Sequence, residues 1–243
     1  MGTQDKNITM NQTNVDPLEI EKFQSLASRW WDTESEFKPL HDINPLRIDY
    51  IDKNSGGVEG KKVLDIGCGG GILCEALAQK GALVTGIDMA EMSLNVAKMH
   101  LYESELNIDY QMSTVEQFAT AHSGEFDIVT CLEMLEHVPD PSSVVAAATQ
   151  LIKSDGQAFF STINRNPKSF VLAILGAEYI LNMVPKGTHE YKNFIKPSEL
   201  AAAARANQLE VRDITGLTYN PLTRQYKLGH DIDVNYLMYC GQQ

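Results

Sequence analysis

The chain repeats one local order: a short apolar run, a turn rich in glycine or acid, then apolar residues three and four apart. Val63–Ile66 is the first such run, followed by Gly67–Gly71 and then by Ile72, Leu73, Ala76 and Leu77. An apolar run of that length between turn residues reads as a buried strand, and the spacing after it as a helix. Leu83–Asp88 repeats the strand, and Met92, Leu94, Val96, Ala97 and Leu101 mark a helix over about 90–101. Further strands are expected at 108–112, at 126–131 and, after the turn Ser154-Asp155-Gly156, at 157–162. Ser113-Thr114-Val115-Glu116 carries a capping pattern ahead of a short helix. A helix from Pro197 to Asn207 and two final strands, 209–215 and 233–240, joined by a long loop, complete the pattern. Strands alternating with helices at this spacing predict an α/β fold, with a mostly parallel sheet and helices on both faces.

Two stretches stand outside that rhythm. Residues 1–14 are polar and mixed and read as a disordered tail, leaving 15–243 as a single domain. Asp16-Pro17-Leu18-Glu19 is a helix start, with Ile20, Phe23, Leu26, Ala27 and Trp30 at helical spacing. Phe37–His41 reads as a proline-broken connection, and Asn44-Pro45-Leu46-Arg47 as the start of a helix to about Ile51, closed by Ser55-Gly56-Gly57. Together 15–57 form an N-terminal helical cap. The second stretch, Lys168–Pro185, is nearly apolar but interrupted by Gly176 and Glu178, and is short for a membrane span. With Lys168 and Lys186 at its flanks, the insert 168–190 reads as a lid or an interfacial helix at an anionic membrane surface, or as a plainly buried helix.

Composition narrows the class. A chain of 243 residues with 43% hydrophobic and 21% charged residues suffices for one large soluble domain. A net charge of −12 argues against a nucleic-acid partner, which a basic surface would serve. Cys68, Cys74, Cys131 and Cys240 are scattered without a C-x-x-C and read as reduced, buried thiols. No secretory or mitochondrial signal is visible, so a cytoplasmic protein is expected.

The turn after the first strand carries the chemistry. Glycines at two-residue spacing allow positive φ and close approach of a ligand, and a helix N-terminus follows. Gly67 and Gly69 fit the first two positions of a dinucleotide fingerprint, but Ile72 stands where the third glycine belongs. The pattern present is Asp65-x-Gly67-x-Gly69-x-Gly71. A carboxylate there repels a pyrophosphate by a few kcal/mol and attracts a cation. S-adenosylmethionine (SAM), with a sulfonium, an ammonium and no phosphate, suits it better than NAD. Asp88, ending the next strand, is placed to accept from ribose hydroxyls, with Met89 beside it. Arg47 offers a two-pronged partner for the SAM carboxylate.

A third cluster follows the fourth strand. Glu133, Glu136 and His137 would share one face of a helical turn. They could hold a divalent cation such as Mg²⁺, could supply His137 as a metal-free general base, or could be a histidine cap beside a surface glutamate pair. A nicotinamide oxidoreductase and a catalytically silent SAM-binding scaffold are the rival functions.

Several of these segments are similar to a known family. Val63–Gly71, Asp88, Cys131–Pro141 and Ser161–Asn166 resemble class I SAM-dependent methyltransferases. Ala27–Asp32, Glu36–His41, Asn44–Arg47, Gly176–Leu181, Val184–His189 and Asp233–Tyr236 resemble, more narrowly, the O-methyltransferases of ubiquinone biosynthesis. The resemblance implies a Rossmann-like, seven-stranded sheet whose last strand is antiparallel. It implies methylation of a polyprenylated catechol-type phenol and of a demethylated ubiquinol. SAM contacts would fall at Arg47, Gly67, Asp88 and Leu132, with a divalent cation at Glu133, Glu136 and His137 in some relatives. It also allows other ubiquinone-biosynthesis proteins as partners at the inner membrane.

Overall fold

The computed structural model describes residues 14–170 and 191–243. β1 (Lys62–Ile66), β2 (Leu83–Asp88), β3 (Asp109–Met112), β4 (Phe126–Leu132) and β5 (Ile152–Ile163) run parallel. β6 (Leu209–Asn220), β7 (Gln225–Gly229) and β8 (Asn235–Gln242) extend the same sheet, giving the order β3-β2-β1-β4-β5-β8-β6-β7. β8 is antiparallel to β5 on one side and to β6 on the other. Among the described residues the sheet therefore has eight strands rather than the seven expected. The added strand is β7, which pairs with the far half of β6 as a hairpin inside the stretch read as a long loop. Its half-exposed alternation of Tyr226 and Leu228 with Gln225, Lys227 and Gly229 carries no continuous apolar run.

Alternation along the strands splits the core in two. On β1, Leu64 and Ile66 face one layer while Val63 faces the other; on β5, Phe160 and Phe159 divide in the same way. The first layer is covered by α5 (Val115–Ala121), α6 (Pro141–Leu151) and α7 (Pro197–Ala206), through Phe118, Val144, Val145 and Leu200. The second is covered by α2 (Lys38–Ser55), α3 (Ile72–Gln79) and α4 (Glu91–Ser104), through Ile48, Ile51, Leu77 and Leu94. All four cysteines are free and buried within these layers, as expected.

The N-terminal region differs most from its expected form. α1 (Pro17–Leu26) begins as anticipated, with Asp16 accepting from the Leu18 N–H. α2 is far longer than expected because Pro39 lies in its first turn, where a missing N–H costs nothing, and Pro45 is carried inside it. Gly56, at φ 73°, ends α2. Asn14, assigned to the tail, is held: its Nδ2 donates to Glu116 Oε1 (2.9 Å) and to the Asp140 carbonyl. The tail up to residue 13 and the apolar insert from residue 171 to 190 lie outside the described residues. Lys168, at the edge of that insert, pairs with Asp231 (2.8 Å) and Asp233 (3.0 Å).

Candidate active site

A cavity of about 590 Å³ opens at the carboxyl ends of β1, β2 and β4, where open α/β sheets place ligands. Its floor is the turn after β1. Gly67, Gly69 and Gly71 all have positive φ, at 73°, 53° and 87°. Two of them also leave room for neighbours. A Cβ on Gly67 would stand 2.5 Å from Met134 Cγ, and one on Gly69 2.5 Å from Trp30 Cη2. Both glycines line the cavity. Gly71 does not: it sits against the Tyr110 hydroxyl at the start of α3, so its role is to let helix and sheet approach.

Asp88 ties this turn to the next. Its Oδ2 accepts from the Gly69 N–H (2.8 Å) and its Oδ1 from the Ala90 N–H (2.7 Å). Each oxygen retains a further lone pair for a ligand hydroxyl. Asp65 is buried, accepting from Thr130 Oγ1 (2.7 Å) and Cys74 Sγ (3.3 Å). Burial pushes its carboxyl up to about 6, against those two bonds and the charge of Arg47. It remains mostly ionised at neutral pH, as the sign argument for a cationic ligand requires.

Arg47 reaches the cavity from α2 and is 5% exposed. Its Nη2 lies 3.0 Å from Glu133 Oε1, yet neither Nη2 nor Nε has an aligned acceptor. A buried guanidinium with two unanswered N–H groups beside a cavity matches a carboxylate ligand. Leu132, ending β4, and Met89, following β2, supply apolar wall.

The segment after β4 takes a form that its spacing did not indicate. Glu133 adopts positive φ (53°), and only Leu135–His137 forms a 3₁₀ turn. The three expected site residues consequently diverge. Glu133 accepts from Ser161 Oγ (2.7 Å) and pairs with Arg47. Glu136 is buried and accepts from Thr162 Oγ1 (2.8 Å); burial, with the Glu133 charge, pushes its carboxyl up to about 7 against the opposing charge of His137. His137 turns its Nδ1 to Glu19 Oε2 of α1, at 2.6 Å. Among the described residues no three Asp, Glu, His or Cys side chains gather as a metal site. The shared helical face is thus corrected, because a left-handed residue intervenes at Glu133. The donor set does not fit a cation as it stands.

Comparison with known proteins decides the family. Residues 40–214 match the model of a methyltransferase domain. The ubiquinone biosynthesis O-methyltransferase of Aromatoleum aromaticum is 61% identical over 229 residues, covering 94% of this chain and 97% of that protein. The protein of the same description from Pseudomonas aeruginosa is 62% identical over 226 residues, covering 93% and 97%. The chain belongs to the ubiquinone biosynthesis O-methyltransferases. It is a SAM-dependent enzyme with the class I fold. That fold is shared with magnesium protoporphyrin IX methyltransferase from Synechocystis PCC 6803 with bound SAH (TM-score 0.69, 19% identity, 93% of this chain and 99% of that one). It is shared also with a SAM-dependent methyltransferase from Aquifex aeolicus (TM-score 0.61, 15% identity, 92% and 98%).

In this O-methyltransferase the cavity gathers Arg47, Asp65, Gly67, Gly69, Asp88, Met89, Leu132, Glu133, Glu136 and His137, and leaves out only Gly71 of the residues expected there. Three further residues at the site were not anticipated: Trp30 and Glu19 line the cavity, and Trp31 braces its glycine turn. Trp30 lies over Gly69 and Gly70, its Nε1 donating to Ser93 Oγ (3.1 Å), and Trp31 Nε1 donates to the Gly70 carbonyl (3.0 Å). The adjacent tryptophans, the two in the chain, were the available signal. Glu19 gave none, since 118 residues separate it from His137.

Proposed function

We propose that the enzyme transfers the methyl group of SAM to a hydroxyl of a polyprenylated catechol-type phenol, and to that of a demethylated ubiquinol, in ubiquinone synthesis. The observation that carries this is the meeting, in one cavity, of a cation-favouring glycine turn, a buried guanidinium whose Nε and Nη2 lack an aligned acceptor, and a histidine. Bound SAM supplies an electrophilic methyl carbon on a positively charged sulfur. Asp88 and Gly67–Gly69 hold the nucleoside end, and Arg47 the carboxylate. His137 Nε2 accepts the phenolic proton, because a phenol with a pKa near 10 is scarcely ionised at neutral pH. The phenolate oxygen then bonds to the methyl carbon as the carbon–sulfur bond breaks, and that electron pair stays on sulfur as a neutral thioether. Alignment of oxygen, carbon and sulfur is the other contribution of the walls. No step is routed through a cation, since Glu133 and Glu136 are engaged by Arg47, Ser161 and Thr162.

The apolar run at 168–190 supports a peripheral place at an anionic membrane surface, from which a prenyl tail would enter. No helix among the described residues is long and apolar enough to cross a membrane. Incubation with labelled SAM and a short-chain prenyl catechol should yield one methyl ether per SAM consumed, lost in His137→Ala. Tight SAM binding without turnover of any catechol would refute this choice of substrate.

A further inference from the structure

α1 lines the cavity through Glu19, Ile20, Lys22, Phe23 and Leu26 without contributing to either core layer. None of its residues is fully buried. Its N-terminal end has a polar seat, and its C-terminal end packs Phe23 and Leu26 on the small apolar cluster of Trp30, Phe37 and Ile72. Before it, Asn14 bonds the Glu116 side chain and both the carbonyl and N–H of Asp140 (2.8–2.9 Å). Within it, Glu19 meets His137, and Phe23 packs edge-on to the same imidazole at 5.1 Å. The apolar packing of Phe23 and Leu26 already holds the helix, and one half-exposed ion pair adds little stability to it. What it does supply is a carboxylate on one particular ring nitrogen.

From this geometry we infer that Glu19 is the positioning residue of His137, so that the N-terminal helix is a working part of the active site. The inference rests on the role proposed for His137. Accepting from Nδ1–H, Glu19 fixes the tautomer in which Nε2 carries the lone pair and no hydrogen. That is the form able to take a phenolic proton. Neither neighbouring carboxylate can do this: Glu136 is buried on Thr162, and Glu133 faces Arg47, Ser161 and Asn235. Lys22, 3.4 Å from Glu19, adds a positive charge on the same helix. Burial by itself would raise the Glu19 carboxyl, but the His137 bond and the charges of His137 and Lys22 hold it below its ordinary value. It therefore stays an acceptor across the working pH range. When Nε2 gains the phenolic proton, the same carboxylate stabilises the imidazolium.

The test compares Glu19→Ala, Glu19→Gln, Asn14→Ala and His137→Ala, with SAM and a short-chain prenyl catechol. Glu19→Ala should lose kcat by roughly ten- to a hundredfold, and no more than His137→Ala does. KM for SAM and the SAH affinity by calorimetry should stay within twofold, showing a folded donor site. Glu19→Gln keeps an acceptor oxygen and should recover part of the loss. Asn14→Ala, which loosens the seat of α1, should fall between it and the parent. Imidazole nitrogen NMR should find the Nδ1–H tautomer of His137 in the parent and a shift toward Nε2–H in Glu19→Ala. If His137→Ala is inactive while Glu19→Ala keeps its kcat and tautomer, the inference is overturned and the base survives. An active His137→Ala overturns both.

Discussion

Removing the Arg47 guanidinium probes the donor site at its most specific point. Arg47 is buried, and Nε and Nη2 have no aligned acceptor within the protein. Two charge-assisted bonds to a carboxylate contribute about 1.5–3 kcal/mol each. Glu133, 3.0 Å away, already offsets part of the positive charge, so the net loss in Arg47→Ala should be smaller than the sum. We expect about 2–4 kcal/mol, or roughly 30- to 700-fold in Kd for SAM or its product. The Glu133 carboxylate left behind would add repulsion toward a ligand carboxylate, acting in the same direction. Calorimetry with SAM and with its decarboxylated analogue separates ligand contact from general damage. If the guanidinium answers the carboxylate, the analogue binds parent and Arg47→Ala alike, and the coupling in the cycle exceeds about 1.5 kcal/mol. Arg47→Lys keeps the charge but loses the planar fork, and should lie between. Equal weakening of both ligands would refute the reasoning and make Arg47 a partner of Glu133 alone.

Two more outcomes follow from the burial of particular groups. The Glu136 carboxyl is pushed up to about 7 by burial, so its ionisation disfavours the folded state progressively from about pH 4.5 to 7 and by a constant amount above that. Glu136→Gln, which cannot ionise, should gain about 2–3 kcal/mol relative to the parent between pH 5 and pH 8, read as the difference in melting temperature; a difference independent of pH would contradict this. At Gly70 a Cβ would stand 2.6 Å from Trp30 Cβ, and φ there is not positive, so the obstacle is space alone. Gly70→Ala should cost about 1–3 kcal/mol in urea denaturation and weaken SAM binding, and an unchanged midpoint would show that Trp30 moves freely.

The parts legible in the sequence were those fixed by local physics. The runs of β1 and β4 are buried on both faces and so read as largely apolar strings, and the glycine turn follows from backbone sterics. The Asp16 and Thr114 caps were visible because a side chain answers a backbone N–H within three residues. What escaped depends on distance or on a single dihedral. Pro39 and Pro45 look like breaks until the tertiary fold carries α2 past them. One left-handed residue, Glu133, undoes the helical spacing expected of Glu133, Glu136 and His137. The partner of His137 lies in another element, and no periodicity links the two.

The position of β8 has a kinetic consequence. It sits between β5 and β6, yet follows both in the chain. Until residues 235–242 are in place, the outer edge of β5 has no partner and β6 pairs only with β7. Asn235, at the head of that strand, then reaches Glu133 across the site. The parallel strands β1–β5 can thus pair with one another before the antiparallel strands dock on β5, and the Asn235 contact to Glu133 is among the last parts of the site to form.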